Sequence, residues 1–184
     1  MKKLMMIAAF MVAALSANAQ NEVGQITLQP KVGINISTVT GEGNKYAAGL
    51  VAGVEAEYGV AENFGLTLGA LYSMQGGKSE GADKKSCMDY INIPILAQYY
   101  VAKGFAIKAG VQPGFLVRAS YDGNSFKEYC KKVDFSIPVG LSYEYEHFVL
   151  DARYNIGLTK TAKEASEKTK NSVFQITVGY KFAL

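Results

Sequence analysis

The chain has 184 residues, with 19 basic and 16 acidic side chains, one histidine, two cysteines and a formal net charge of +3. That is one domain of ordinary size, and without a basic run interleaved with aromatics it gives nucleic acid no footing. Cys87 and Cys130 belong to no CxxC pair, and with one histidine beside them neither a disulfide scaffold nor a zinc site can be assembled, so no metal or cofactor is expected.

Lys2 and Lys3 precede the apolar run LMMIAAFMVAAL, and Ala17-Asn18-Ala19 follows as a small-x-small cleavage site before Gln20. This is the pattern of a secretory signal peptide, too short to cross a bilayer as a helix. The expected organisation is a cleaved segment 1–19 and a mature domain 20–184, whose net charge falls to +1 once the two lysines are gone. An exported chain also reaches a compartment where a disulfide persists.

Eight segments then place apolar residues at every second position, approximately 26–37, 48–60, 63–76, 89–100, 105–118, 133–145, 148–158 and 172–182. Leu50, Ala52, Val54, Ala56 and Tyr58 alternate in the second, and Phe148, Leu150, Ala152, Tyr154, Ile156 and Leu158 in the seventh. Period two is the signature of a strand with different surroundings on its two faces. Segments of this length and even number suit a transmembrane barrel. The connections alternate too: those near 61–63, 101–104 and 146–147 are short, whereas 38–47, 77–88, 119–132 and 159–171 are long and rich in Gly, Ser, Lys, Asp and Glu. The fold expected is all-β, an eight-stranded antiparallel up-and-down transmembrane β-barrel with short periplasmic turns and four longer extracellular loops.

Alternation alone does not decide which face looks inward, because a soluble lipocalin-like barrel shows the same pattern reversed. The polar face decides it. It carries glycines, among them Gly33, Gly53, Gly65, Gly69, Gly110, Gly140 and Gly179, which suit a narrow interior where small residues make room for large ones. It also carries Lys31, Lys108, Arg153 and Lys181 against Glu55, Glu57, Glu144 and Asp151. Four cations against four anions predict a neutral ion network that fills the lumen rather than an open pore. Aromatic residues near segment ends, such as Tyr72, Tyr99, Tyr143, Phe148 and Phe182, fit girdles at the two membrane interfaces. Pro30, Pro94, Pro113 and Pro138 fall inside strands, and each requires a bulge or the end of a hydrogen-bonded run.

The stretch Tyr90-Ile-Asn-Ile-Pro94-Ile-Leu-Ala-Gln-Tyr99 resembles the Y-x-x-I-P-x-x-A-x-Y strand of PorT-like outer-membrane β-barrel proteins. Val133 to Gly140, Asp151 to Thr159 and the ending Gly179-Tyr-Lys-Phe182 resemble later strands of that family. The resemblance covers the mature chain and implies a place in the outer membrane of a Gram-negative bacterium, after export. It implies location and architecture more than activity. Phe174, Ile176, Val178, Tyr180, Phe182 and Leu184, alternating to the carboxyl end, resemble the signal read by the outer-membrane barrel assembly machinery.

No enzyme site is expected. His147 falls in a predicted periplasmic turn, opposite to the end where lipid-modifying barrels keep their catalytic groups, and Ser79, Ser86, Ser120 and Ser125 have no base beside them in sequence. The second, third and fourth predicted loops hold ten lysines, Lys78, Lys84, Lys85, Lys127, Lys131, Lys132, Lys160, Lys163, Lys168 and Lys170, against six acids. Such a basic rim could face outer-leaflet glycolipid or other anionic polymers, its surface ligand being unknown. Cys87 and Cys130 are expected just above the rim, close enough for a disulfide between two loops worth about 3–4 kcal/mol by chain entropy. The function expected is a filled outer-membrane barrel in a structural or surface-interaction role. The alternatives are a lipid-modifying enzyme, a soluble periplasmic lipid carrier, or an accessory of a secretion assembly.

Overall fold

A computed structural model describes residues 23–39, 44–45, 47–79, 85–121, 124–125, 131–160 and 170–184. The alternating segments form eight staves: β1 (Ile26–Val39), β2 (Ala47–Ala61), β3 (Phe64–Ser79), β4 (Lys85–Asn92 and Ile95–Ala102), β5 (Phe105–Tyr121), β6 (Val133–Tyr145), β7 (Phe148–Lys160) and β8 (Lys170–Tyr180 and Phe182–Ala183). Each pairs antiparallel with the next. β8 returns to β1, from Lys31 opposite Gly179 to Val39 opposite Asn171, and the cylinder closes without an edge.

The tight turns after β2, β4 and β6 lie at one end with both termini of the described barrel. There the Leu184 amide donates to the Ile26 carbonyl at 2.9 Å. At the other end the staves outrun the sequence expectation. Lys85, Ser86 and Cys87 of β4 pair with Lys78, Gly77 and Gly76 of β3, inside a stretch expected as loop, and β7 continues to Lys160. The ladder is made of backbone amides, so it extends through Gly, Ser and Lys residues after apolar alternation has ended.

All four prolines fall where a ladder is interrupted. The break in β4 at Ile93 and Pro94 faces Pro113, whose carbonyl accepts from the Ile93 amide at 2.8 Å; on the other side the Gly69 amide donates to the Pro94 carbonyl at 3.0 Å. Pro30 is level with the break in β8 between Tyr180 and Phe182, and Pro138 with the gap in the β5–β6 ladder between Ala109 and Gln112. A residue with no amide hydrogen can occupy a closed barrel only at such rungs. The ladder of β5 against β4 also slips between Asp89 and Tyr90, with Asp89 opposite Arg118 and Tyr90 opposite Leu116. Val117 and Arg118 are therefore both exposed. That is the two-against-one count of a β-bulge.

The faces are those of a membrane barrel. Val32, Leu50, Leu68 and Val178 are half or more exposed on the outside. The buried residues within include Gln29, Asn35, Glu55, Gln98, Gln112, Asp151, Arg153, Asn155 and Gln175. A water-soluble carrier requires the reverse. Exposed Tyr58, Tyr99, Tyr143, Tyr145 and Phe148 ring the short-turn end, while Tyr72, Phe115, Phe135 and Phe174 stand toward the other, bracketing an aliphatic band.

Candidate functional site

The most organised chemistry lies inside the barrel, in its short-turn half. Lys31, Glu55, Lys108, Asp151 and Arg153 all fall on inward positions of their staves, and the cylinder brings them to one level. Arg153 of β7 reaches across to Glu55 of β2, donating from Nη1 to Oε1 at 2.5 Å and from Nη2 to Oε2 at 2.7 Å. Such a fork on a carboxylate is the strongest common form of ion pair. Lys31 Nζ donates to the same Glu55 Oε2 at 2.7 Å, and Lys108 Nζ donates to Asp151 Oδ2 at 2.7 Å. Arg153 bridges the two carboxylates, with Nη2 donating to Asp151 Oδ2 at 2.7 Å. Its Nε lies 2.6 Å from Asp151 Oδ1 without hydrogen-bond alignment.

A second group lies nearer the turns. Lys181 of β8 is 2.9 Å from Glu144 of β6 and 3.1 Å from Glu57 of β2. Tyr100 of β4 joins it, its hydroxyl donating to Glu57 at 2.9 Å and accepting from Lys181 at 3.1 Å and Gln98 at 2.5 Å. The upper group has three cations on two carboxylates and the lower one cation on two, so charge balance holds only for the two together. All eight charged residues named from the sequence meet in these groups, whereas Tyr100 and Gln98 were not anticipated. Their signal was parity: they share the inward face of β4 with Asn92 and Leu96.

Glycines make the room. An added Cβ at Gly69 would stand 2.6 Å from Glu55 Cγ, and one at Gly140 would stand 2.4 Å from the Ala152 carbonyl oxygen and 2.9 Å from Arg153 Cγ. Gly140 faces Arg153 on one side and Lys108 on the other, leaving both long side chains free to turn into the lumen. Gly140→Val should therefore lower the stability of the folded barrel by about 1–3 kcal/mol through overpacking, measured as the urea midpoint at which the unheated sample loses its folded gel mobility. An unchanged midpoint would mean the interior has slack at this level.

Away from the lumen, His147 sits in the β6–β7 turn, half-buried against Tyr180 with ring centroids 5.4 Å apart, and its carbonyl accepts from the Lys181 amide at 2.7 Å. It is a packed residue of the turn in which the sequence placed it. Phe148 and Phe182 complete the aromatic cluster around Tyr180. Phe174, Ile176, Val178, Tyr180 and Phe182 occupy the outward face of the closing stave, alternating with inward Val173, Gln175, Thr177, Gly179 and Lys181, and Leu184 follows on the same parity. On the outer wall near the long-loop end, a carboxylate that sequence did not flag, Asp89, is buried and accepts from the Tyr72 hydroxyl at 2.8 Å. The backbone of Cys87 pairs with Gly76 and Ser120, but Cys130 lies outside the described residues, and with it the Cys87–Cys130 pairing. The expected signal segment 1–19 and the loop lysines Lys84, Lys127, Lys163 and Lys168 also lie outside them. Among the described residues no group of three or more His, Cys, Asp or Glu side chains could hold a metal ion.

Solved structures share this fold at low identity. Ail, the attachment invasion locus protein of Yersinia pestis, solved in complex with the heparin analogue sucrose octasulfate, is 15% identical with a TM-score of 0.59 over 88% of this chain and 100% of its own. Neisserial surface protein A is 14% identical with a TM-score of 0.61 over 85% and 97%. OprG from Pseudomonas aeruginosa is 14% identical with a TM-score of 0.53 over 90% and 99%. A search of curated proteins finds no match. The family described as outer membrane protein beta-barrel domain matches residues 18–163, most of the chain, and with an apolar wall outside and a plugged polar lumen inside, the chain belongs to that family of Gram-negative outer-membrane barrels.

Proposed function

We propose that this barrel works at its extracellular end, as a surface-interaction protein whose loops engage anionic polymers or the phosphates of outer-leaflet glycolipid, and that it catalyses nothing. The observation that carries this reading is the plug. Arg153, Glu55, Lys31, Asp151 and Lys108 are all buried and join staves on several sides of the lumen, leaving the rim as the surface on which a partner can act. The ten lysines and six acids of the second, third and fourth loop segments supply an attractive field for polyanions, one that salt weakens. Ail, which shares the fold, was solved with a sulfated sugar bound, and this offers a probe.

Folded protein in liposomes should retain sucrose octasulfate or heparin at low salt and release it as salt rises. Replacing Lys160, Lys163, Lys168 and Lys170 together by glutamine should weaken retention several-fold. The same liposomes should show no steady ion conductance. Equal retention by the quadruple variant would remove the fourth loop from the proposal, and a stable conductance would overturn the plug.

Three narrower assignments accompany this reading. Within its family the chain falls in the PorT-like group, supported by the Tyr90 to Tyr99 motif. Residues 1–19 are removed on export. The outward residues of β8 from Phe174 to Phe182, with Leu184, are what the barrel assembly machinery reads, supported by their unbroken alternation on the stave that must close the cylinder.

A further inference from the structure

Strict alternation would place Arg118 of β5 inward with Gly114 and Leu116. The bulge against Asp89 and Tyr90 turns it out instead, so that Val117 and Arg118 are exposed side by side on the outer wall. Re-aiming a side chain is a recurrent use of such bulges. The result is a guanidinium at the upper margin of an apolar surface. Below it, toward the short turns, Val111, Phe115, Val133 and Phe135 are all exposed, with Phe115 opposite Val133 in the ladder.

Two further cations stand on the neighbouring stave. Lys131 and Lys132 lead into β6, and the Leu116 amide donates to the Lys132 carbonyl at 2.8 Å, one rung beyond the pair of Phe115 and Val133. Lys132 is exposed and Lys131 half-buried. One described carboxylate belongs to this part of the wall. Asp89 is opposite Arg118 in the ladder, but it is buried, and it accepts from the Tyr72 hydroxyl at 2.8 Å while its other oxygen has no hydrogen-bond partner. Among the described residues no ion pair involves Arg118, Lys131 or Lys132. Three cations against one buried carboxylate leave an excess of positive charge just beyond the aromatic ring of Tyr72, Phe115 and Phe135, at the height of the headgroups.

We propose that Arg118, with Lys131 and Lys132, forms a site on the outer wall for a phosphate of one outer-leaflet glycolipid, whose acyl chains lie along Phe115, Val133 and Phe135. This rests on the reading that the extracellular end meets anionic partners, and it moves one contact from the loops to a defined place on the wall. The planar fork of a guanidinium matches phosphate oxygens, and lysines add charge without fixing geometry. The apolar surface below selects the source of the phosphate. A lipid places its headgroup at the cations and its chains on that surface, whereas a soluble polyanion gains nothing from it.

The test holds the purified barrel on a resin in zwitterionic detergent and measures the lipid A retained per barrel, using phosphorylated lipid A and lipid A stripped of its phosphates. Retention of the phosphorylated form well above the stripped form is expected. Arg118→Gln, and separately Lys131→Gln with Lys132→Gln, should each reduce it several-fold while keeping the folded gel mobility. Undiminished retention in either folded variant overturns the site, and so does equal retention of the two lipids. Displacement by soluble glucosamine phosphate at the concentration of the lipid would also overturn it, since the chains would then contribute nothing. Heparin retention by the same preparations separates this site from the loops. A wild-type barrel that ignores heparin but keeps phosphorylated lipid A sinks the loop reading and leaves the wall site standing, whereas heparin retention without lipid A retention does the reverse. Should Arg118→Gln fail to fold, the lysine pair, which lies outside the strands, decides by the same measurement.

Discussion

Replacing Glu55 by glutamine should destabilise the folded barrel by about 3–5 kcal/mol, and by more than removal of its arginine partner does. Glu55 is fully buried, and both its oxygens are engaged, by Lys31 and by the two Nη atoms of Arg153. Without its charge, Lys31, Lys108 and Arg153 are left around Asp151 alone, three cations on one carboxylate in a lumen that water cannot enter freely. Arg153→Met removes the best hydrogen-bonding geometry but leaves Lys31 on Glu55 and Lys108 on Asp151, two balanced pairs each at 2.7 Å. The order of severity is therefore Glu55→Gln first and Arg153→Met second, although each makes three hydrogen bonds. Pairing Glu55→Gln with Lys31→Met should recover part of the loss, because the two residues share one charge interaction and their effects are not additive. Urea titration of all three variants in detergent, followed by the mobility of unheated samples, provides the comparison. A milder effect of Glu55→Gln than of Arg153→Met would show that geometry rather than charge balance governs the plug.

Leu68→Arg tests the outer face. Leu68 is 57% exposed and stands between the ring of Tyr58 toward the turns and that of Tyr72 toward the loops, within the aliphatic band. A guanidinium there must sit in hydrocarbon or snorkel past several residues, and the expected loss is about 2–4 kcal/mol for folding into a lipid bilayer. Were that face in water, the substitution would change stability by no more than about 0.5 kcal/mol. Equilibrium folding into liposomes distinguishes the two, with Glu62→Arg in the β2–β3 turn, an exposed position beyond the band, as the control expected to fold as wild type.

Much of this architecture was legible along the chain because a barrel wall has two surroundings and a strand alternates between them. Leu50, Ala52 and Val54 could face one medium only if Val51, Gly53 and Glu55 faced the other. The ion network was legible for a related reason: charged residues on a face also rich in glycine make little sense in water and good sense in a confined interior. The upper limits of the staves were less legible, since Lys85, Ser86 and Cys87 pair through backbone atoms and no side-chain pattern announces it. Nothing in the sequence singled out Tyr100, and only its inward parity distinguishes it from Tyr99 on the outer wall.

By itself the sequence determined the number of staves, their order, the polarity of each face and the net neutrality of the eight interior charges, all of which follow from period two and from composition. Tertiary structure decided which charges meet. Arg153 and Glu55 are 98 residues apart, and their contact depends on closure of β8 onto β1, which curls a flat alternation into a lumen and turns opposite staves toward each other. It also decided where the prolines can stand, because the rungs of a ladder are set by the packing of eight staves at once.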